Sequence, residues 1–174
     1  MHSKGLIHRD IKSGNILLGE PGSFEVDGVK SNHERVLKVA DFGLSRIFPF
    51  PPKPMTKEIS TLNWRAPEVM MDMDNLRYTH AVDMWSIGIV FHEMLTGKLL
   101  FTGQTELEVL LDIFRKKGRP MKSDAYFKRT PVLRLLWKKL PKTYASVADK
   151  WTYGFEELID ALTIIDPAKR PSCE

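Results

Sequence analysis

Hydrophobic and polar positions change their rhythm once along this chain. Near the start the apolar runs are short and β-prone, "NILL" at 15–18 and "VLKVA" at 36–40, and both predict strands. The stretch between them, "GEPGSFEVDGVKSNHER", is rich in Gly, Ser and charge and predicts a long hairpin loop over 19–35. Four prolines in the six residues "PFPPKP" at 49–54 forbid a helix or a central strand there. They predict an extended surface segment, read as a stiff loop or, less simply, as a ligand for a proline-binding module.

From Pro67 onward the period is helical. "APEVMMDM" has Pro67 at a suitable first helical position. "THAVDMWSIGIVFHEMLTG" predicts a helix with Thr79 as N-cap and Gly97 as its stop. Its middle, "MWSIGIVFHEML" from Met84, is apolar on nearly every side, which predicts burial. That run is too short to span a bilayer and carries His92 and Glu93. "TELEVLLDIFRKKG" places apolar residues at 107, 110, 111 and 114 on one helical face, with Gly118 behind it. "FEELIDALTIID", 155–166, predicts an amphipathic helix stopped by Pro167. Residues 121–145 are ambiguous. No repeat or linker interrupts the series, so the fold class is α+β: mainly α-helical with a short β-hairpin near the start.

Composition narrows this picture only slightly. A length of 174 residues with 43% hydrophobic and 10% aromatic content suits one globular domain. The net charge of +4 is a solvated surface rather than a nucleic-acid footprint, and neither nucleic acid nor a membrane is expected as a partner. The densest basic cluster, "FRKKGR" at 114–119, reads as a frayed helix end, with docking or localisation as the minor alternative. The one cysteine, Cys173, leaves neither an internal disulfide nor a zinc cluster and fits a cytoplasmic or nuclear setting. "MHSKGLIHRD" lacks the apolar stretch of a signal peptide.

Candidate chemistry clusters before the helices. In "LIHRDIKSGNILL", residues 6–18, Asp10 is followed by Lys12 and Asn15, and Asp41 opens "DFG" further on. Phosphoryl transfer to a hydroxyl needs an acceptor for the hydroxyl proton, metal ligands that neutralise phosphate charge, and positioning. Asp10 suits the first role, Lys12 offers a point charge to a γ-phosphate, and Asn15 and Asp41 offer oxygen ligands to Mg2+. Singly, each is an ordinary surface residue; in this order, beside β-prone segments, they form a pattern.

His8-Arg9-Asp10 to Asn15, Asp41-Phe42-Gly43 and Ala66-Pro67-Glu68 resemble the motif series of protein kinases. The resemblance covers essentially all of 1–174 and corresponds to the C-terminal lobe of a eukaryotic serine/threonine kinase, with 41–68 as activation segment. It implies ATP and Mg2+ as cofactors and a protein substrate. It makes Asp83 in "AVDMWSIG" an acceptor for catalytic-loop amides, and it pairs Glu68 with Arg170 of "DPAKRPS" in a buried ion pair. "DFGLSR" and "TLNWRAPE" narrow the likeness to the cyclin-dependent kinases and their CMGC relatives. That group implies a cyclin-like activator. Arg65 would shape a pocket favouring proline after the acceptor residue, and Thr61 would bond near the catalytic aspartate. Thr56 would be a regulatory phosphothreonine clamped by Arg9 and Arg46, and Leu17 would floor the adenine pocket. The bland reading of Thr56 is a loop threonine, and of Leu17 a strand core residue.

Departures accompany the likeness. Ser13-Gly14 and Asn63-Trp64 stand where the subfamily has other residues, and Asn15 and Asp41 lie 26 positions apart, about twice the family's usual spacing, an insertion a surface hairpin tolerates. No G-x-G-x-x-G or V-A-I-K precedes His8. The N-lobe is therefore expected to be absent from the chain, leaving apolar surface exposed around Leu17 and Phe42 and weakening nucleotide binding. The isolated chain is expected to be weakly active or inactive as a kinase. The rival expectations are a catalytically inactive kinase-like interaction module and a lobe completed by a separate N-lobe partner.

Overall fold

A computed structural model of the chain describes residues 1–20, 22–26, 29–33, 35–47, 61–71, 79–119, 134, 140 and 155–173. Three antiparallel strand pairs come first. β1 (Leu6–Ile7) pairs with β6 (Arg46–Ile47), with Ile7 opposite Arg46. β2 (Ile16–Leu18) pairs with β5 (Leu37–Val39), and β3 (Gly22–Val26) with β4 (Val29–His33).

The hairpin loop expected over 19–35 is not a loop. Leu18 faces Leu37, the Gly19 amide donates to the Val36 carbonyl at 2.7 Å, and Gly22 faces His33. One register therefore runs through both ladders. The period-2 signal of β3 and β4 was hidden by Gly, Ser and Asn, residues that disfavour strands but do not prevent an antiparallel ladder from satisfying the backbone. The inserted residues lengthen the hairpin and leave its base, which holds Asn15 and Asp41, in register.

Four helices follow among the described residues: α1 (Pro67–Met71), α2 (Ala81–Thr96), α3 (Glu106–Lys117) and α4 (Phe155–Leu162). α2 starts one residue beyond its expected cap. His80 occupies the N-cap position, while the Thr79 hydroxyl accepts from the Ala81 amide at 3.3 Å. Gly97 ends α2 in the left-handed region at φ 68°, its amide donating to the Glu93 carbonyl, a conformation glycine reaches at no steric cost. α2 is buried from Ala81 through Ser86 and again at Gly88–Val90, but Met94 and Leu95 in its last turn face outward. α2 and α4 approach closely at Gly88, where a Cβ would lie 2.8 Å from Thr163 Cγ2 and 2.9 Å from Leu162 Cβ.

Two helical expectations shift. α3 buries Val109, Leu110, Ile113 and Phe114 and leaves Leu107 exposed, so its core face is rotated from the expected 107/110/111/114 stripe. Thr105 caps the helix by accepting from the Glu108 amide at 3.2 Å and fixes its start; tertiary packing then selects the adjacent stripe. α4 ends at Leu162 rather than near Asp166. The carbonyls of Ile164 and Ile165 accept from Arg170 at 2.7 and 3.1 Å instead of closing another turn, and Asp166 caps a short 3-10 turn at Pro167–Lys169.

The core joins α1, α2 and α3. Trp85 and Phe101 are fully buried and stacked with centroids 5.3 Å apart; each such side chain contributes about 1.5–3 kcal/mol of burial free energy. The basic end of α3 is tied inward: Lys116 pairs with Asp112 and donates to the Leu100 carbonyl, and Lys117 pairs with Asp160 of α4. These uses account for much of the "FRKKGR" cluster without an external partner. The "PFPPKP" segment and most of 121–145 lie outside the described residues.

Candidate active site

Asp83 on α2 positions the loop that follows β1. Its carboxylate accepts from the His8 amide at 2.9 Å and the Arg9 amide at 2.8 Å, and Asp83 is 1% exposed. Arg9 sits at φ 70°, a left-handed conformation that is costly for a residue with a Cβ. The two bonds to a buried carboxylate offset that cost. His8 Nδ1 accepts from the Asp10 amide at 3.3 Å, so Nε2 carries the hydrogen that reaches the Ala40 carbonyl at 3.0 Å. Its ring meets Phe42 edge-on at 4.9 Å. The loop and the Asp41–Gly43 turn are thus joined through one histidine.

Asp10, buried at 6% exposure, is the centre of the cluster. Its Oδ2 accepts from Lys12 Nζ at 2.9 Å and Asn15 Nδ2 at 3.2 Å; its Oδ1 accepts from the Thr61 amide at 3.0 Å and hydroxyl at 3.3 Å. Lys12 Nζ also donates to Thr61 Oγ1 at 2.9 Å, and Asn15 Nδ2 to the Asp10 carbonyl at 2.8 Å. Burial pushes the Asp10 carboxyl up, yet the Lys12 ammonium and the Thr61 donors outweigh it and hold the group below the usual carboxylate range.

Asn15 spends its amide nitrogen on Asp10, which turns its oxygen end away from that carboxylate. The backbone carbonyl of Asn15 accepts from the Ala40 amide at 2.8 Å, so the base of the β2–β5 ladder sets Ala40, the residue before Asp41, opposite Asn15. Asp41 is exposed at φ 62°, with Oδ1 accepting from the Gly43 amide at 3.2 Å. One exposed carboxylate and one amide oxygen are hard donors that suit Mg2+ completed by water and phosphate oxygens. Among the described residues no group of three or more His, Cys, Asp or Glu is placed to hold a metal by itself.

The other expected residues are placed as follows. Leu17 is 52% exposed on β2, and Phe42 is 48% exposed. Arg9 is buried and its Nε donates to the Leu44 carbonyl, whereas Arg46 is exposed on β6 opposite Ile7. Thr56 lies outside the described residues. Arg65 pairs with Glu106 in the first turn of α3. Glu68 and Arg170 form a two-pronged pair at 2.6 and 2.7 Å, and the Arg170 guanidinium lies 4.9 Å from the Trp85 ring.

The model of the protein kinase domain matches residues 1–174. The chain belongs to the protein kinase family. It is 35% identical over 178 residues to cyclin-dependent kinase B2-1 of Arabidopsis thaliana, covering 99% of this chain and 51% of that protein. It is 34% identical over 177 residues to cell division control protein 2 homolog D of Antirrhinum majus, covering 99% and 51%. It is 41% identical over 123 residues to cell division control protein 2 homolog 3 of Trypanosoma brucei brucei, covering 71% and 35%. The kinase chain thus spans about half the length of the first of these relatives, and its mixed helix and strand content is that of a kinase-domain fragment. No helix among its described residues is long and apolar enough to cross a membrane.

Partners contributed by distant elements were not legible in the motifs. His2 bonds Asp83, Glu106 pairs with Arg65, and the Ser86 hydroxyl donates to the Trp64 carbonyl at 2.9 Å. Ordinary residues at large sequence separation carry no local signal.

Proposed function

We propose that this chain is the catalytic-loop half, the C-terminal lobe, of a serine/threonine protein kinase that transfers the γ-phosphate of ATP to protein hydroxyls. The observation that carries the reading is the convergence of Lys12, Asn15 and Thr61 on the Asp10 carboxylate. Asp10 orients the substrate hydroxyl and accepts its proton as transfer proceeds; its lowered pKa keeps the carboxylate ionised, which suits orienting the hydroxyl more than removing its proton early. Thr61 fixes the carboxylate and Lys12 faces the phosphate. Asn15 and Asp41 would hold Mg2+, which supplies neutralisation of phosphate charge when bound. Leu17 floors the adenine site, and Arg65, anchored by Glu106, shapes the pocket after the acceptor residue in favour of proline. Asp83, and Glu68 with Arg170, act as positioning residues. Thr56 with Arg9 and Arg46 is the regulatory switch, a cyclin-like protein the activator, and the cytoplasm or nucleus the setting.

A second reading, an interaction module without catalysis, is favoured by the exposed apolar side chains of Leu17, Leu18, Leu37 and Phe42, which also suit a nucleotide-binding N-lobe, linked or separate. Alone, the chain transfers little or no phosphate. The test is titration of isotope-labelled chain with ATP and Mg2+, then with Mn2+ as paramagnetic probe. Broadening confined to the amides around Asn15 and Asp41, and lost in Asp41→Asn, supports the kinase reading. No broadening, or broadening unaffected by Asp41→Asn, supports the module.

A further inference from the structure

The first and last described segments of the chain meet at a second group of reactive side chains, behind Asp83. His2 Nε2 lies 2.7 Å from Asp83 Oδ2, and His2 Nδ1 lies 2.9 Å from Cys173 Sγ. The His2 side chain is 7% exposed and that of Asp83 1%. A carboxylate accepts and does not donate, so Nε2 of His2 carries the hydrogen of the first contact. Nδ1 of the neutral ring is then an acceptor, and it faces the thiol. A nucleophile, a base within hydrogen-bond reach and an acid that orients the base stand in line, the arrangement that activates thiols and hydroxyls on unrelated folds. The Met84 thioether also lies 3.3 Å from Sγ, and the His80 ring 5.3 Å from that of His2. Cys173 is exposed and not in a disulfide, so a small reagent reaches the sulfur.

We propose that Cys173 is a nucleophilic modification site for small soft electrophiles, peroxides in particular, with His2 as its base and Asp83 as the residue that orients His2. With hydrogen peroxide, Sγ attacks one peroxide oxygen, the S–O bond forms and the O–O bond breaks. The thiol proton passes to His2 Nδ1 and on to the departing hydroxide, which leaves as water. Sulfur loses two electrons and the peroxide gains them, giving a sulfenic acid. The new group replaces a donor at Nδ1 with a larger polar substituent, and His2 must adjust. Asp83 bonds His2 and the His8 and Arg9 amides with the same carboxylate, so the modification reaches the catalytic loop. No nucleotide takes part, so the site stands or falls independently of the kinase reading.

Cys173 is the single cysteine of the sequence, so carbamidomethylation by iodoacetamide, or dimedone trapping of the sulfenic acid formed by peroxide, read by peptide mass mapping, reports its modification apart from oxidation of the eight methionines. The chain is treated with iodoacetamide or hydrogen peroxide at pH 7, folded and in urea. A free thiol titrating near 8.5 is only a few per cent thiolate there, and the folded chain is expected to react about tenfold faster than the unfolded one. His2→Gln, checked for folding by circular dichroism, is expected to return the rate to the unfolded value. In the modified chain, hydrogen exchange at the His8 and Arg9 amides is expected to quicken. Should the variant not fold, the wild-type pH profile decides. The folded chain is expected to keep its rate between pH 8 and 6.5, while the unfolded chain slows about tenfold per unit. A folded rate no higher than the unfolded rate, a rate indifferent to His2→Gln in a folded variant, or parallel pH profiles each overturn the proposal.

Discussion

Replacing Arg170 by lysine keeps the charge and nearly the length, yet it is expected to destabilise the fold severely. All five guanidinium hydrogens are engaged. Two go to Glu68, and one each to the carbonyls of Ala81, Ile164 and Ile165. The side chain has no exposed surface, and Glu68 retains only 10%. An ammonium has three donors, cannot reproduce the planar fork, and loses the stacking on Trp85. At least two buried acceptors are left unmet, at about 1–3 kcal/mol each, and Arg170→Lys should cost about 3 kcal/mol. Arg170→Met should cost about 3–5 kcal/mol because it strands the Glu68 carboxylate. Domains of this kind hold about 5–15 kcal/mol in total, so either loss is a large fraction. Urea unfolding followed by tryptophan fluorescence measures it. With a slope of about 2 kcal/mol per molar, the lysine variant should shift the midpoint down by about 1.5 M. Removing both charges, Glu68→Met with Arg170→Met, should cost less than the two single changes added, because no charge remains stranded. A lysine variant whose midpoint stays within about 0.3 M of wild type would refute this account of the pair.

Three further predictions concern packing and protonation. Gly88→Ala should lower stability by about 1–3 kcal/mol despite alanine's higher helix propensity, because the methyl meets Thr163 and Leu162 inside 3 Å; thermal unfolding tests it, and an unchanged or higher Tm contradicts it. Lys12→Met should raise the Asp10 carboxyl, followed by carbon NMR titration. The depressed group stabilises the wild type above about pH 3.9 and loses that contribution as pH falls through its lower folded value, so the variant should begin losing stability at higher pH; an unmoved Asp10 titration removes Lys12 from the explanation. Burial pushes the His92 imidazole down, the Lys98 carbonyl opposes this, and the charges of Lys116 and Lys117 add to it. The neutral ring's contribution is complete above about pH 6.5 and lost as pH falls from there towards the folded value. His92→Gln should therefore flatten the stability profile below pH 6.5, and equal slopes for both proteins would rule that out.

Much of the site was legible because its residues lie in short ordered motifs. Asp10, Lys12 and Asn15 are separated by few residues, and Asp41 follows a β-prone run. What the sequence could not show is the long-range half of each contact. Nothing in "TELEVLL" marks Glu106 as the partner of Arg65, and nothing near Met1 marks His2 as a ligand of Asp83. The hairpin at 22–33 was read as a loop because turn-forming residues dominate it, yet register is a property of the pair of strands and not of either alone. α4 was read four residues too long for a related reason. The apolar period continues through Ile164 and Ile165, but their carbonyls are taken by an arginine from beyond the helix.

Among the described residues, the non-glycine ones at positive φ, Arg9 and Asp41, belong to the two segments that would deliver the reacting groups of the proposed kinase. Each such conformation costs about 1–3 kcal/mol, so the site is held under strain by contacts that outweigh it. On one side the restraint is Asp83, which binds the amides of His8 and Arg9 from a rigid helix. On the other it is the β2–β5 ladder, ended by the Asn15 to Ala40 bond, with His8 clasping the Ala40 carbonyl. His8 is common to both restraints: its amide is fixed by Asp83 and its ring fixes Ala40, next to Asp41. Loosening Asp83 should therefore disturb Asn15 and Asp41 as well as Asp10, although Asp83 touches neither of those ladder residues. That reach is the physical basis for proposing Asp83, a helix residue, as a positioning residue for the whole cluster.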